Sequence, residues 1–258
     1  NTDESLALCL KAIAILEKLL LQNSANPNYQ ASRADFYEGI AVILETNPQR
    51  RTEAVAAYRN ALEIRSQLVE KNPNNADLRQ KFAMSYSYLG DTFYELGDNP
   101  NAVENYRKCL EILDRLVIQD SKNIQLKQDQ AAVRGSLGIS LAETGNPFEG
   151  IELLKKVLFM FEEKYRSDPT DAMTHFRIGM AQEGLGKAYR TAAANPKISK
   201  DERLKNWQNA RDWYQKSLEI YTLYRDRTII PQIVGAEMVD SVTNALAECE
   251  KEIDAAKK

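Results

Sequence analysis

Three Leu-Gly pairs stand at one fixed interval in this chain: Leu89-Gly90, Leu137-Gly138 and Leu185-Gly186, with glycines 48 residues apart twice (138 − 90 and 186 − 138). A second set of markers keeps the same step. Tyr58, Tyr106 and Leu154 are 48 apart, and so are Ala54, Ala102 and Gly150. Two independent sets in register over three copies define a repeat array, in which each unit buries its apolar face against the next.

The punctuation fixes the kind of unit. Of eight prolines, seven follow Asn or Asp, at positions 27, 48, 73, 100, 147, 169 and 196. Proline disfavours helix at the residue before it and fits the first turn of a helix, so each pair reads as a helix stop followed closely by a start. Between these stops apolar residues recur three and four apart, and nothing alternates with period two. The expectation is an all-α chain of antiparallel helix pairs.

The clearest copy is Tyr86 to Leu110, YSYLGDTFYELGDNPNAVENYRKCL. Leu89-Gly90 and Phe93 lie on one helix, Gly97 and Asn99-Pro100 mark a turn, and Ala102, Tyr106, Cys109 and Leu110 share a face of the next helix. This order resembles the tetratricopeptide repeat (TPR), whose period is 34 residues. Gly90 to Ala102 and Gly138 to Gly150 both span 12 residues, as in an ordinary repeat, so the 14 extra residues fall between repeats. Split evenly, they add about two turns to each flanking helix and predict helices of roughly 22–24 residues.

The resemblance implies a right-handed α-α superhelix, a TPR-like solenoid over 1–258. Residues 3–27 read as the second helix of a truncated repeat, then repeats 28–72, 73–120, 121–167 and 168–227, and a capping helix at 231–257. The first repeat is degenerate, with Gly39-Ile40 in place of Leu-Gly and an enlarged turn at Thr46 to Arg51. The fourth carries 12 additional residues near Asn195 to Asn206, including Ser199-x-x-Glu202, a capping-box pattern. The final helix has a seam of Val239, Val242, Leu246, Cys249 and Ile253, suited to closing an array. The three aligned glycines, each costing about 1 kcal/mol relative to Ala within a helix, imply close crossing by the Tyr58/Tyr106 position of the partner helix.

Composition narrows the function. The formal net charge of −3 opposes a general nucleic-acid surface. No apolar run approaches the ~20 residues of a membrane helix. The longest, Leu6 to Leu21, is interrupted by Lys11, Glu17 and Lys18 and lacks the features of a leader. Asn at position 1 reads as a fragment or a processed product. Cys9, Cys109 and Cys249 have neither metal nor redox spacing and sit on apolar faces as small hydrophobes, which favours a reducing compartment, the cytoplasm. His175 is the sole histidine, and Gly179, Gly184 and Gly186 follow no strand, so neither a catalytic constellation nor a phosphate loop is expected. No cofactor or metal is implied, and the chain reads as a non-enzyme.

In TPR proteins the first helices of successive repeats line a groove for a peptide or helix. By position from Leu-Gly, the resemblance implies Ser87, Asp91, Tyr94 and Glu95 from the second repeat, and Ile139 and Glu143, with Gly135 and Ala142, from the third. The fourth gives Glu183, Lys187 and Arg190, with Thr191, and the first Tyr37, with Ala41 and Leu44. The Lys/Asn/Arg clamp of the chaperone-tail binders is unmatched, because its Asn position holds Ala41, Asp91, Ile139 and Lys187. The segment from Trp207 onward also resembles the end of TPR arrays fused to bacterial serine/threonine kinases. The leading expectation is an interaction scaffold for a protein or peptide. The alternative is a regulatory or self-associating region of a larger signalling protein.

Overall fold

A computed structural model describes residues 2–24, 26–227 and 236–256. The elements are α1 (Thr2–Gln22), α2 (Pro27–Glu45), a 3-10 helix (Pro48–Arg50), α3 (Arg51–Lys71), α4 (Ala76–Glu95), α5 (Asn99–Gln119), α6 (Ile124–Glu143), α7 (Pro147–Ser167), α8 (Ala172–Ala193), α9 (Lys200–Arg227) and α10 (Ala236–Ala256). There is no strand among the described residues. The repeat is visible in the starts alone: α4, α6 and α8 begin 48 residues apart (76, 124, 172), as do α3, α5 and α7 (51, 99, 147). The last three are 21 residues each, slightly shorter than the length expected from sequence, because part of the excess forms the links between hairpins. The expected start of the capping helix at 231 and its expected end at 257 lie outside the described residues.

Local chemistry sets the boundaries. Gly97 and Gly145 end α4 and α6 at φ 77° and 88°, where a side chain would be strained. In each, the next amide reaches back to the fifth carbonyl before it, Asp98 N to Phe93 O at 2.8 Å and Asn146 N to Leu141 O at 2.9 Å, closing a Schellman turn. Links between hairpins use side-chain caps instead. Asn75 accepts from Leu78 N at 3.1 Å and Asn123 from Leu126 N at 3.1 Å. Pro73 and Pro169 therefore lie in the links, ahead of capped helices, rather than within first turns. At α9, Ser199 Oγ accepts from Glu202 N at 3.2 Å while the Glu202 carboxylate accepts from Ser199 N at 3.0 Å, a reciprocal capping box.

The chain forms two compact units, 1–133 and 134–258. In the first, α1 packs on α2, α2 pairs with α3, α3 meets α4, and α4 pairs with α5. In the second, α7 packs on α8, α8 pairs with α9, and α10 covers α9 through buried Val239, Val242, Leu246, Cys249 and Ile253. α9 runs 28 residues, so the added residues of the fourth hairpin become a link at 194–199 and two extra turns.

The aligned glycines mark close approach. A Cβ on Gly90 would sit 2.6 Å from the Tyr106 ring, and one on Gly186 2.7 Å from that of Tyr214. On Gly138 it would meet Leu154 Cγ at 2.9 Å and Gly150 O at 3.0 Å. Position 154 thus does with Leu what Tyr does elsewhere. Cys109 and Cys249 are buried, and burial pushes their thiols up to about 12 and about 11, far from a reactive thiolate. Among the described residues no helix is long and apolar enough to cross a membrane, and no group of three His, Cys, Asp or Glu could hold a metal ion.

Candidate binding site

The first unit contains a core position that breaks the pattern of the repeat. Arg65 on α3 is 6% exposed. One and two periods later the position holds Leu113 and Phe161, also buried. An arginine there must have its charge matched, since burying it unpaired costs several kcal/mol. The match comes from two helices. Nη2 meets Asp35 Oδ1 of α2 at 2.8 Å, and Nη1 contacts Glu38 Oε2 of α2 and Ser85 Oγ of α4, the latter at 2.6 Å. Lys81 Nζ reaches the other Asp35 oxygen at 3.5 Å.

A cavity of about 550 Å³ opens in front of this cluster, lined by Asp35, Glu38, Arg65, Asp77, Gln80, Lys81, Met84 and Tyr88. The α4 contributors follow helical spacing (77, 80, 81, 84, 88), so one stripe of α4 faces it. Tyr88 stacks on Tyr58 with centroids 5.9 Å apart, and burial, then the Glu38 charge, raise its hydroxyl's pKa. Gln80 is held by Asp129 at 2.7 Å. Among the described residues, the Asp77 carboxylate and the Tyr88 hydroxyl have no hydrogen-bond or ion-pair partner, and the Glu38 contact uses only one of its oxygens.

The residues expected from sequence are distributed otherwise. Asp91 and Glu95 continue the α4 stripe beyond the cavity, where Asp91 Oδ1 accepts from Tyr106 OH at 2.7 Å and Glu95 pairs with Arg51 at 3.1 Å. Ser87 is buried, Tyr94 is half-buried, and Tyr37 packs against the Ala34, Ala61, Ile64 and Leu68 core. Ala41 and Leu44 are buried, because the outward stripe of α2 runs through Asp35, Glu38 and Val42. In the second unit Ile139 lies 3.2 Å from where a Cβ of Gly184 would be, and Glu143 is exposed. Glu183 accepts from Tyr221 OH at 2.8 Å and pairs with Lys187 at 2.8 Å. Arg190 pairs with Glu248 of α10 at 3.0 Å, so Lys187 and Arg190 serve contacts within the fold. The cavity's Asp35, Glu38, Arg65, Asp77, Lys81 and Tyr88 were not among the residues expected from sequence, although Arg65 at an otherwise apolar repeat position was a usable signal.

Asp91 carries a measurable consequence. Crowding by protein raises its pKa from 3.8 to about 6, against the lowering effect of the Tyr106 hydroxyl and with help from Glu45 and Glu95, although the residue keeps exposed surface. The folded chain therefore holds this proton more tightly than the unfolded one, and its contribution to stability falls as pH rises from about 4 to about 6. Asp91→Asn, which still accepts from Tyr106, should raise the melting temperature at pH 7.5. That gain should shrink to nothing as the melts are repeated toward pH 4.

Stacked antiparallel hairpins joined by short capped links make this a helical-repeat protein. Its residues 84–112 match the family described as tetratricopeptide repeat. Among solved structures, the crystal structure of BtubC (BKLC) from P. vanneervenii is similar in fold, with a TM-score of 0.53 at 13% identity, over 100% of this chain and 91% of that one. A de novo designed helical repeat protein aligns at a TM-score of 0.32 and 9% identity, over 100% of this chain and 99% of that one. No curated protein matches the chain.

Proposed function

We propose that this chain is a protein-interaction scaffold whose first unit binds a cationic peptide or helix in the cavity between α2 and α4. The observation that carries the reading is the buried Arg65 with its carboxylates, at a position filled by Leu113 and Phe161 in the sibling repeats. A buried ionic cluster is rarely the most stabilising filling for a core position. Here it holds Asp35 and Glu38 at the cavity's edge, opposite an unpaired Asp77. A Lys or Arg side chain entering between Glu38 and Asp77 gains two charge-assisted contacts, and Met84 and Tyr88 supply apolar surface for its stem. No catalytic role is assigned to any residue.

The test is fluorescence anisotropy of a labelled, arginine-bearing amphipathic peptide, with a composition-matched scrambled peptide as control. The double variant Glu38→Lys with Asp77→Lys should weaken binding at least tenfold, about 1.4 kcal/mol. The same reversal at exposed Glu111 and Glu250 should not. Equal losses from both pairs would reduce the binding to general charge attraction.

A further inference from the structure

The first helix leaves open a flank that its counterpart α3 keeps covered. α1 and α3 are both 21 residues long, and their starts and ends are 49 residues apart (2 and 51, 22 and 71). At that offset the α3 positions Ala54, Ala57, Ala61, Ile64 and Leu68 become Ser5, Leu8, Ala12, Ile15 and Leu19. All five α3 side chains are buried, and Ala61, Ile64 and Leu68 pack with Ala34 of α2, the helix before α3. α1 packs on α2 with its other side, where Ile13, Leu16 and Leu20 are buried. Its own stripe is open: Leu8 and Ile15 are each 60% exposed, Ser5 is exposed, and Ala12 and Leu19 are half-buried.

A single exposed Leu or Ile is ordinary, but these five positions are spaced 3, 4, 3 and 4 apart. That is the seam by which two long helices pack side by side. The charges beside it choose the partner. Glu4, Lys11 and Lys18 run along the outer edge of the seam at seven-residue intervals. All three are exposed, and none is in an ion pair among the described residues. The acidic residue stands at the N-terminal end and a basic one at the C-terminal end, so the edge is complementary to itself when reversed.

We propose that this flank of α1 is a dimer interface whose partner is α1 of a second copy, lying antiparallel about a two-fold axis beside Ala12. Leu8 then packs on the partner's Ile15 and Ser5 on the partner's Leu19, each contact made twice. Glu4 meets the partner's Lys18, also twice, while Lys11 meets its own counterpart near the axis. A parallel pair would place Glu4 and Lys18 at opposite ends of the interface and lose both ion pairs. One helix seam falls short of the roughly 800 Å² per partner of a standard stable interface, so the dimer is weak, with a Kd on the order of 10 µM. No α1 residue lines the α2/α4 cavity, so this interface and the proposed peptide site stand or fall separately.

The experiment is sedimentation equilibrium of the 258-residue chain from about 1 to about 500 µM, a range that brackets such an affinity. The mass should rise from 29.3 kDa toward twice that value. Leu8→Glu with Ile15→Glu should hold it at 29.3 kDa without lowering the melting temperature of the dilute chain, because both side chains are exposed there. Glu4→Lys and Lys18→Glu should each weaken the dimer roughly fivefold, since each removes two ion pairs and adds two like-charge contacts. Combined in one chain they should restore wild-type association, and Lys11→Gln should strengthen it. A chain that stays at 29.3 kDa at the top concentration would leave the flank to some other helix and overturn the proposal. So would a dimer that survives Leu8→Glu with Ile15→Glu, or a combined charge variant that associates no better than either single one.

Discussion

Gly150→Ala should destabilise the second unit by about 3 kcal/mol or more, at or beyond the top of the usual range for overpacking. The new methyl would be placed 2.2 Å from Gly138 O and 3.2 Å from Ala142 N. Both are backbone atoms of α6, so no rotamer change can relieve the clash and the helices themselves must separate. For a chain of this size that corresponds to a fall of roughly 6–12 °C in melting temperature. Gly135→Ala in α6 is the control. Nothing lies within 4 Å of its added Cβ, so the better helix propensity should stabilise by up to about 1 kcal/mol. A Gly150→Ala protein that melts with the wild type would remove the close crossing of α6 and α7 from the account.

Arg65→Ala should be nearly as costly, by a different route. Removing one partner of a buried ion pair typically costs about 3–5 kcal/mol, because the remaining charge is stranded. Here the Asp35 side chain is 48% exposed and that of Glu38 24%, so both can recover some hydration and the loss should fall near ~3 kcal/mol. Arg65→Lys should recover little of it, since one ammonium cannot reach Asp35, Glu38 and Ser85 with the guanidinium's fork. Urea denaturation of the three proteins gives the comparison directly. An Arg65→Ala midpoint equal to wild type would show the cluster to be a passive surface feature.

The hairpin geometry was legible in sequence because it is encoded by residues with narrow conformational roles. Gly97 and Gly145 can occupy left-handed backbone, Asn75, Asn123 and Asp171 cap helices, and Gly90, Gly138 and Gly186 leave space that only a crossing side chain fills. The proposed binding surface was less legible for two reasons. The family's groove positions describe a shorter helix, so they carry over to Asp91 and Glu95 but say nothing of the added turns holding Asp77, Gln80 and Lys81. In α2 no Leu-Gly pair fixes the register, and Ala41 and Leu44, expected in the groove, are buried while the neighbouring stripe through Asp35 and Glu38 faces outward. Lys187 and Arg190 looked available because sequence cannot show that Glu183 and Glu248 already meet them.

Carboxyl footprinting tests the central claim most directly. The protein is treated with a carbodiimide and a small amine, with and without the arginine-bearing peptide, and labelling at each Asp and Glu is read by mass spectrometry. Bound peptide should suppress labelling at Glu38 and Asp77 while leaving exposed Glu111 and Glu250 unchanged. Undiminished labelling of Glu38 and Asp77 under saturating peptide would contradict the assignment of the α2/α4 cavity as the binding site.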